Sequence, residues 1–192
     1  MEEKKEKVIR LTTPLTREMA ESLHMGDTVS LSGVIYAARD EAHENMVRLL
    51  EEGKDLPFDI KDAVVYYVGP APAAPGQVIG SAGPTTSGRM DAYTPVLLHK
   101  GLRGMIGKGQ RGQAVMDAMQ RYPAVYFAAV GGAAALMASC VTGCEVIAWD
   151  DLGPESVKRL TLQDLPLIVA ADAYGEDGFS MGQQDYLKAS AR

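Results

Sequence analysis

Cysteine is nearly missing from this chain of 192 residues, and so are several features that would announce a function. The two thiols, Cys140 and Cys144, stand four apart beside only three histidines in the whole sequence, which is poor material for a zinc site. Set in an apolar run broken by Gly143, they read as two small buried hydrophobes, the usual fate of free cysteine. Positive charge is also short: the net charge of −6 gives no reason to expect nucleic acid, whose binding rests on clustered Lys and Arg. No apolar run approaches the length of a membrane span. Met1 to Lys7 is charged and unlike a signal peptide, so no membrane association and a cytoplasmic location are expected. No internal repeat occurs. Gly131-Gly132 lacks the G-x-G-x-x-G spacing of a dinucleotide fold, and Gly107-Lys108-Gly109 lacks the upstream glycine and trailing hydroxyl of a phosphate loop. Aromatic residues make up only 6%, while Ala, Gly and Val are plentiful, a balance suited to close helix-on-sheet packing.

The residues that are present form one α/β domain over 8–180, between a charged N-terminal tail, 1–7, and a polar C-terminal tail, 181–192. Val8 to Leu11 reads as a strand. Thr13-Pro14 reads as the cap and first residue of a short helix that Gly26 stops. A strand from Thr28 to Ala38 hands over at Arg39-Asp40 to a helix carrying Ala42, Met46, Leu49 and Leu50 on one face. Ala63 to Val68 is a buried strand, followed by a stiff Pro-rich loop from Gly69 to Gly76. Thr94-Pro95 caps a short helix, Leu102 to Ile106 is a strand, and a helix face follows at Ala114, Val115, Ala118 and Met119. Pro123 to Val130 reads as a strand, Gly131-Gly132 as the start of an Ala-rich helix to Ser139, and Glu145 to Trp149 as a strand. A short helix is expected near Ser156 to Arg159, then two strands, Leu160 to Leu165 and Pro166 to Ala171. The sheet is expected to be mixed, with helices on its faces.

Between these elements lies Gly83-Pro84-Thr85-Thr86-Ser87-Gly88-Arg89-Met90-Asp91, a turn with three consecutive hydroxyls, two glycines and an arginine. Free backbone amides, hydroxyl donors and a bidentate guanidinium together suit a carboxylate or phosphate. A capped loop without a ligand is the competing reading, because Ser and Thr also close helix ends. Arg39 sits where a strand ends and a helix begins, the place where α/β folds put ligand-binding groups. Lys108, between two glycines, reads equally as an anion-holding group or as a solvent-facing turn residue.

Ser32-Gly33-Val34-Ile35-Tyr36, Ala38-Arg39-Asp40 with His43, the turn from Gly83 to Asp91, and Gly107-Lys108-Gly109 together resemble the beta subunit of class I fumarate hydratase. The same family includes the L(+)-tartrate dehydratase beta subunit, and the resemblance runs from about Val8 to Phe179. It implies a swivelling β/β/α fold and a hydro-lyase that depends on iron and sulfur. It further implies an alpha subunit whose three cysteines hold a [4Fe-4S] cluster, with no metal on this chain, in keeping with its two thiols. The carried-over roles are Arg39 and Arg89 clamping the carboxylates of a small dicarboxylate substrate, with Thr86 beside them. Lys108 would stabilise the carboxylate on which charge builds. Thr85 would sit at the carbon that loses a proton, working with an acidic residue of the alpha subunit because a Thr hydroxyl is a weak base. Asp40, Gly83, Gly107 and Gly109 would support these groups, and His43, one turn after Arg39, either faces the pocket or supports them by orienting Asp40, the second being favoured. Ala37 departs from the pattern, since many relatives carry Thr before the Ala-Arg-Asp run. The leading reading is a fumarate hydratase beta subunit. L(+)-tartrate dehydratase is the nearest alternative, a non-catalytic anion-binding regulatory subunit is a third, and self-association of the isolated chain stays open.

Overall fold

Residues 63–68 show how the sheet is built. Val64, Tyr66 and Val68 join one apolar cluster with Leu31, Ile35, Ile106 and Phe127, whereas Val65 and Tyr67 join a second with Met46, Leu98, Met105 and Tyr126. Alternation of this kind, apolar on both faces, is what a strand buried on both sides requires. The computed structural model describes residues 8–129 and 134–182. Among them the sheet has seven strands: β1 (Ile9–Thr12), β2 (Thr28–Ala37), β3 (Val64–Tyr66), β4 (Gly104–Gly107), β5 (Val125–Ala129), β6 (Val141–Ala148) and β7 (Val157–Ala171). The helices are α1 (Arg17–Glu21), α2 (Asp40–Glu51), α3 (Thr94–His99), α4 (Gln113–Arg121) and α5 (Ala134–Ser139).

From β1 through β5 each neighbour is parallel, in chain order. β7 is antiparallel to β2 along one edge and to β6 and β5 along the other, so the mixed sheet returns to β2 and closes on itself. The first apolar cluster fills the inside of that circuit, and the second lies between its outer face and α2, α3 and α4. Parallel strands all end on the same side. The C-terminal ends of β2, β3 and β4 therefore deliver Arg39, the turn of Thr85 to Arg89 and Lys108 to one rim, as open α/β sheets do with their ligand groups.

Several local expectations are corrected. Thr13 is not the helix cap. Its hydroxyl donates to Val34 O at 2.6 Å and its amide to Ser32 O at 3.0 Å, which ties it to β2, and Thr16 caps α1 instead by accepting from Met19 N. Residues 157–159 are extended rather than helical, because Lys158 and Arg159 pair in register with both Ala37–Tyr36 and Val146–Glu145. The two strands expected over 160–171 are one strand of 15 residues. It bends where Asp164 takes a positive φ of 51° and two residues of β7 stand opposite Ser32 alone. β6 begins at Val141 and carries Cys144. Cys140 precedes it in a turn, so the two thiols share no helix and are half-buried rather than buried. Gly131-Gly132, residues 1–7 and residues 183–192 lie outside the described residues, while 181–182 belong to a helical turn that starts at 178.

Candidate active site

Arg39 is the last extended residue before α2, at φ −120° and ψ −160°, and Asp40 and Glu41 follow in the first helical turn, where negative charge is favoured. Asp40 stands between two arginines. Its Oδ1 is 3.8 Å from Arg39 Nε and its Oδ2 is 3.8 Å from Arg89 Nη1, so one carboxylate gathers two guanidiniums that are 50 residues apart in the chain. Arg39 is mostly enclosed and Arg89 is more than half exposed. The Arg39 side chain lies against Gly69, where a Cβ would come within 2.9 Å of Nη1, and it is also paired with Glu155, whose Oε1 is 3.0 Å from Nη2.

The central turn docks on the same rim through its backbone. Thr85 N donates to Tyr67 O at 2.7 Å, Lys108 N to Thr85 O at 3.3 Å, and Ser87 N to Lys108 O at 2.9 Å, so Thr86 and Lys108 run side by side as a short parallel bridge. Lys108 and Thr86 are exposed and Thr85 is half-buried. The expected nest of free amides is therefore only partly there. The amides of Thr85, Ser87 and Arg89 are already bonded within the protein, Pro84 has none, and Thr86 opens a single 3-10 turn (Ser87–Met90) rather than an α-helix. Attraction for an anion at this rim comes from side-chain charge.

Beneath the turn lies a buried set of polar groups. Ser87 Oγ is 2.8 Å from Tyr126 OH, which donates to Gly109 O at 2.8 Å. Burial pushes the Tyr126 phenol up to about 12, so it stays a donor at any working pH. Gly107 has no room for a side chain, because a Cβ would overlap Ser87 Oγ, and Gly109 turns the chain at φ +82°. Gly83 passes Ala134, whose Cβ would be 3.1 Å from an added methyl.

Arg111 and Asp91 complete this floor; sequence reasoning missed Arg111 and named Asp91 only as the end of the turn, without a role. Arg111, 4% exposed, donates to Asp91 Oδ1 at 2.8 Å, Thr94 Oγ1 at 2.9 Å and Tyr67 OH at 3.3 Å, and its guanidinium lies over the rings of Tyr67 and Tyr126. Asp91 Oδ2 also accepts from Gly112 N at 2.6 Å, which starts α4. The available signal was a charged pair at the exits of two glycine-bearing turns.

His43 is fully buried, and its role differs from the expected one. Nδ1 bonds the Arg39 carbonyl at 2.7 Å, not Asp40, so the ring braces the backbone that carries Arg39. A carbonyl only accepts, so Nδ1 carries the proton and Nε2 is left as a buried acceptor without a partner among the described residues. Burial holds the imidazole down at about 4 and the Arg111 charge adds to this, against the pull of the Arg39 carbonyl.

The candidate residues thus meet on one open rim. Arg39, Arg89 and Asp40 form its charged side, Thr85, Thr86 and Lys108 the facing turn, and His43, Gly83, Gly107 and Gly109 its support. Comparison with known proteins decides the kinship. The family model described as Fumarase C-terminus matches residues 1–182. The chain belongs to that family. It is 40% identical over 153 residues to "Fumarate hydratase class I, anaerobic" of Escherichia coli, a match covering 79% of this chain and 28% of that protein. It is 38% identical over 176 residues to "Fumarate hydratase 1, mitochondrial" of Leishmania major, covering 90% and 32%. A "Putative L(+)-tartrate dehydratase subunit beta" of Methanocaldococcus jannaschii is 38% identical over 167 residues, covering 84% of this chain and 86% of that one. The chain therefore spans about a third of the fumarate hydratases it matches and most of the archaeal subunit.

A cluster does not suit the residues of this Fumarase C-terminus domain. Burial pushes both thiols up rather than toward thiolate, and Cys140 Sγ is directed at Asp164 O at 3.8 Å, on the β6–β7 side. Among the described residues no group of three His, Cys, Asp or Glu could hold a metal, and no helix is long and apolar enough to cross a membrane.

Proposed function

We propose that this chain is the carboxylate-binding part of a hydro-lyase, in the cytoplasm, completed by an alpha chain that carries a [4Fe-4S] cluster, and that it acts on a small hydroxy-dicarboxylate, (S)-malate and fumarate first. The observation that carries this reading is the meeting of Arg39 and Arg89 about Asp40 on the rim that also holds Thr85 and Lys108. Two guanidiniums match two carboxylates, each by a planar fork. In dehydration of malate a C–H bond and the neighbouring C–O bond break, a double bond forms and water leaves. Charge spreads into the carboxylate next to the carbon that loses its proton, and the Lys108 ammonium meets it there. Thr85 takes that proton while handing its own hydroxyl proton to an ionised carboxylate of the partner chain, since its hydroxyl alone is too weak a base.

The test is to purify the chain with its partner and to compare (S)-malate with L-tartrate. Turnover of malate by the pair and none by the chain alone supports the reading; turnover by the lone chain overturns it. Arg89→Ala should lower kcat/KM by roughly a hundred-fold or more. If Arg89→Ala weakens anion binding and leaves the partner's turnover intact, the chain is a regulatory subunit instead. L-tartrate is the second reading, favoured by one observation: a relative 38% identical over 84% of this chain bears the name of a tartrate dehydratase subunit.

A further inference from the structure

Glu155 pairs with Arg39 and does more than neutralise it. It ends the 3-10 segment Asp150–Glu155, between β6 and β7, and is 114 residues from α2 in the chain at its nearest bond there. Oε1 takes Arg39 Nη2 at 3.0 Å while Oε2 accepts from the Glu41 amide at 3.4 Å, so one carboxylate fastens the guanidinium to the first turn of α2. The segment that presents it is sharply bent, with Trp149 at φ 54° and Gly153 at φ 55°, ψ −115°.

Lys158 holds that bend. It is 8% exposed, and its Nζ donates to Ser156 Oγ at 2.6 Å, Gly153 O at 2.9 Å, Pro154 O at 3.2 Å and Ser156 O at 3.3 Å. Among the described residues no carboxylate pairs with it; its contacts are spent on the loop. Pro154 O in turn lies against Gly69, 3.4 Å from where a Cβ would stand, and Gly69 also walls the Arg39 side chain.

We propose that Glu155 is a positioning residue for Arg39, and that Lys158 fixes the loop from which Glu155 works. The inference rests on the reading of Arg39 as a group that binds a substrate carboxylate. A free arginine must surrender rotamer freedom when it binds, and Glu155 has that ordering done beforehand. A negative charge beside the site opposes a dianion. Here that charge is already matched by Arg39 and by a helix-terminal amide, so orientation outweighs repulsion.

Glu155→Ala in the enzyme purified with its partner should raise the KM for (S)-malate about five-fold or more, with kcat changed by less than about two-fold, because Arg39 would grip ground state and transition state alike. L-tartrate replaces malate if it is the better substrate. Glu155→Gln should recover most of the loss, since its amide oxygen can keep the contact with Nη2. If the alanine variant does not fold, Glu155→Asp, one methylene too short to reach both partners, should show the same rise. An unchanged or lower KM in Glu155→Ala, or a glutamine variant no better than alanine, overturns the inference. Arg39→Lys is run alongside. If it leaves KM unmoved the reading of the site itself fails; if it raises KM while Glu155→Ala does not, only the role of Glu155 fails.

Discussion

His43 couples the site to pH through stability rather than through chemistry. Its folded-state value of about 4 lies below the 6.5 of an unperturbed imidazole, so on acidification the unfolded chain takes up the proton first. Its stabilising contribution is whole above pH 6.5 and is lost as pH falls toward 4, by about 3 kcal/mol over the window. Urea unfolding of the wild type and of His43→Asn at pH 7 and pH 4.5 measures it. The gap in stability between the two proteins should shrink at the lower pH, and a gap that stays constant contradicts the assignment. Gly107 is as demanding in another way. Gly107→Ala drives a methyl into Ser87 Oγ and should cost about 1–3 kcal/mol in a thermal or denaturant melt, with lower turnover because Lys108 follows directly.

The central turn is held to the start of α4 by one ion pair. Removing Asp91 leaves the Arg111 charge enclosed with neutral partners, Thr94, Tyr67, the Met105 sulfur and the two rings. Asp91→Ala should cost about 2–3 kcal/mol, below the full penalty of an orphaned buried charge because Asp91 is partly exposed. Adding Arg111→Met should return part of that loss, and a double variant less stable than the single one would contradict the account. Elements with a strong local signal were legible in the sequence: the apolar spacing of α2, the both-face burial of β3, and Pro95 at the start of α3. What failed was decided at long range. Lys158 and Arg159 look helical beside Pro154 until β2 and β6 claim both their edges, and Thr13 looks like a cap until Val34 O takes its hydroxyl. The rim residues could be singled out by type and by family resemblance, and Arg111 left only the faint signal of a charged pair beside glycine turns, whereas Glu155 acts through a contact that no spacing announces.

At the level of the whole molecule, β7 makes the closed sheet possible, since it alone joins β2 to β5 and β6. Its bend is a specific requirement. Asp164 holds a positive φ while its carboxylate accepts from Ser30 Oγ at 3.0 Å and its amide donates to Ser32 Oγ at 2.9 Å. Asp164→Val, β-branched and without an acceptor, should lower stability by about 1–3 kcal/mol, while Asp164→Asn should be tolerated. Calorimetry of the two variants separates them. Closure of the sheet also fixes what the rim is: a shelf at the surface, with Arg89, Thr86 and Lys108 facing water. Water mutes charge. Opposite unit charges 4 Å apart attract by roughly 1 kcal/mol in bulk solvent and by roughly 4 kcal/mol at the effective permittivity typical of pairs near a protein surface, and more strongly still where water is excluded. A cover laid over this shelf would therefore strengthen the pull of Arg39, Arg89 and Lys108 without contributing a cation of its own, and the strength of the hold on a dianion would be set by the lid as much as by the hand beneath it.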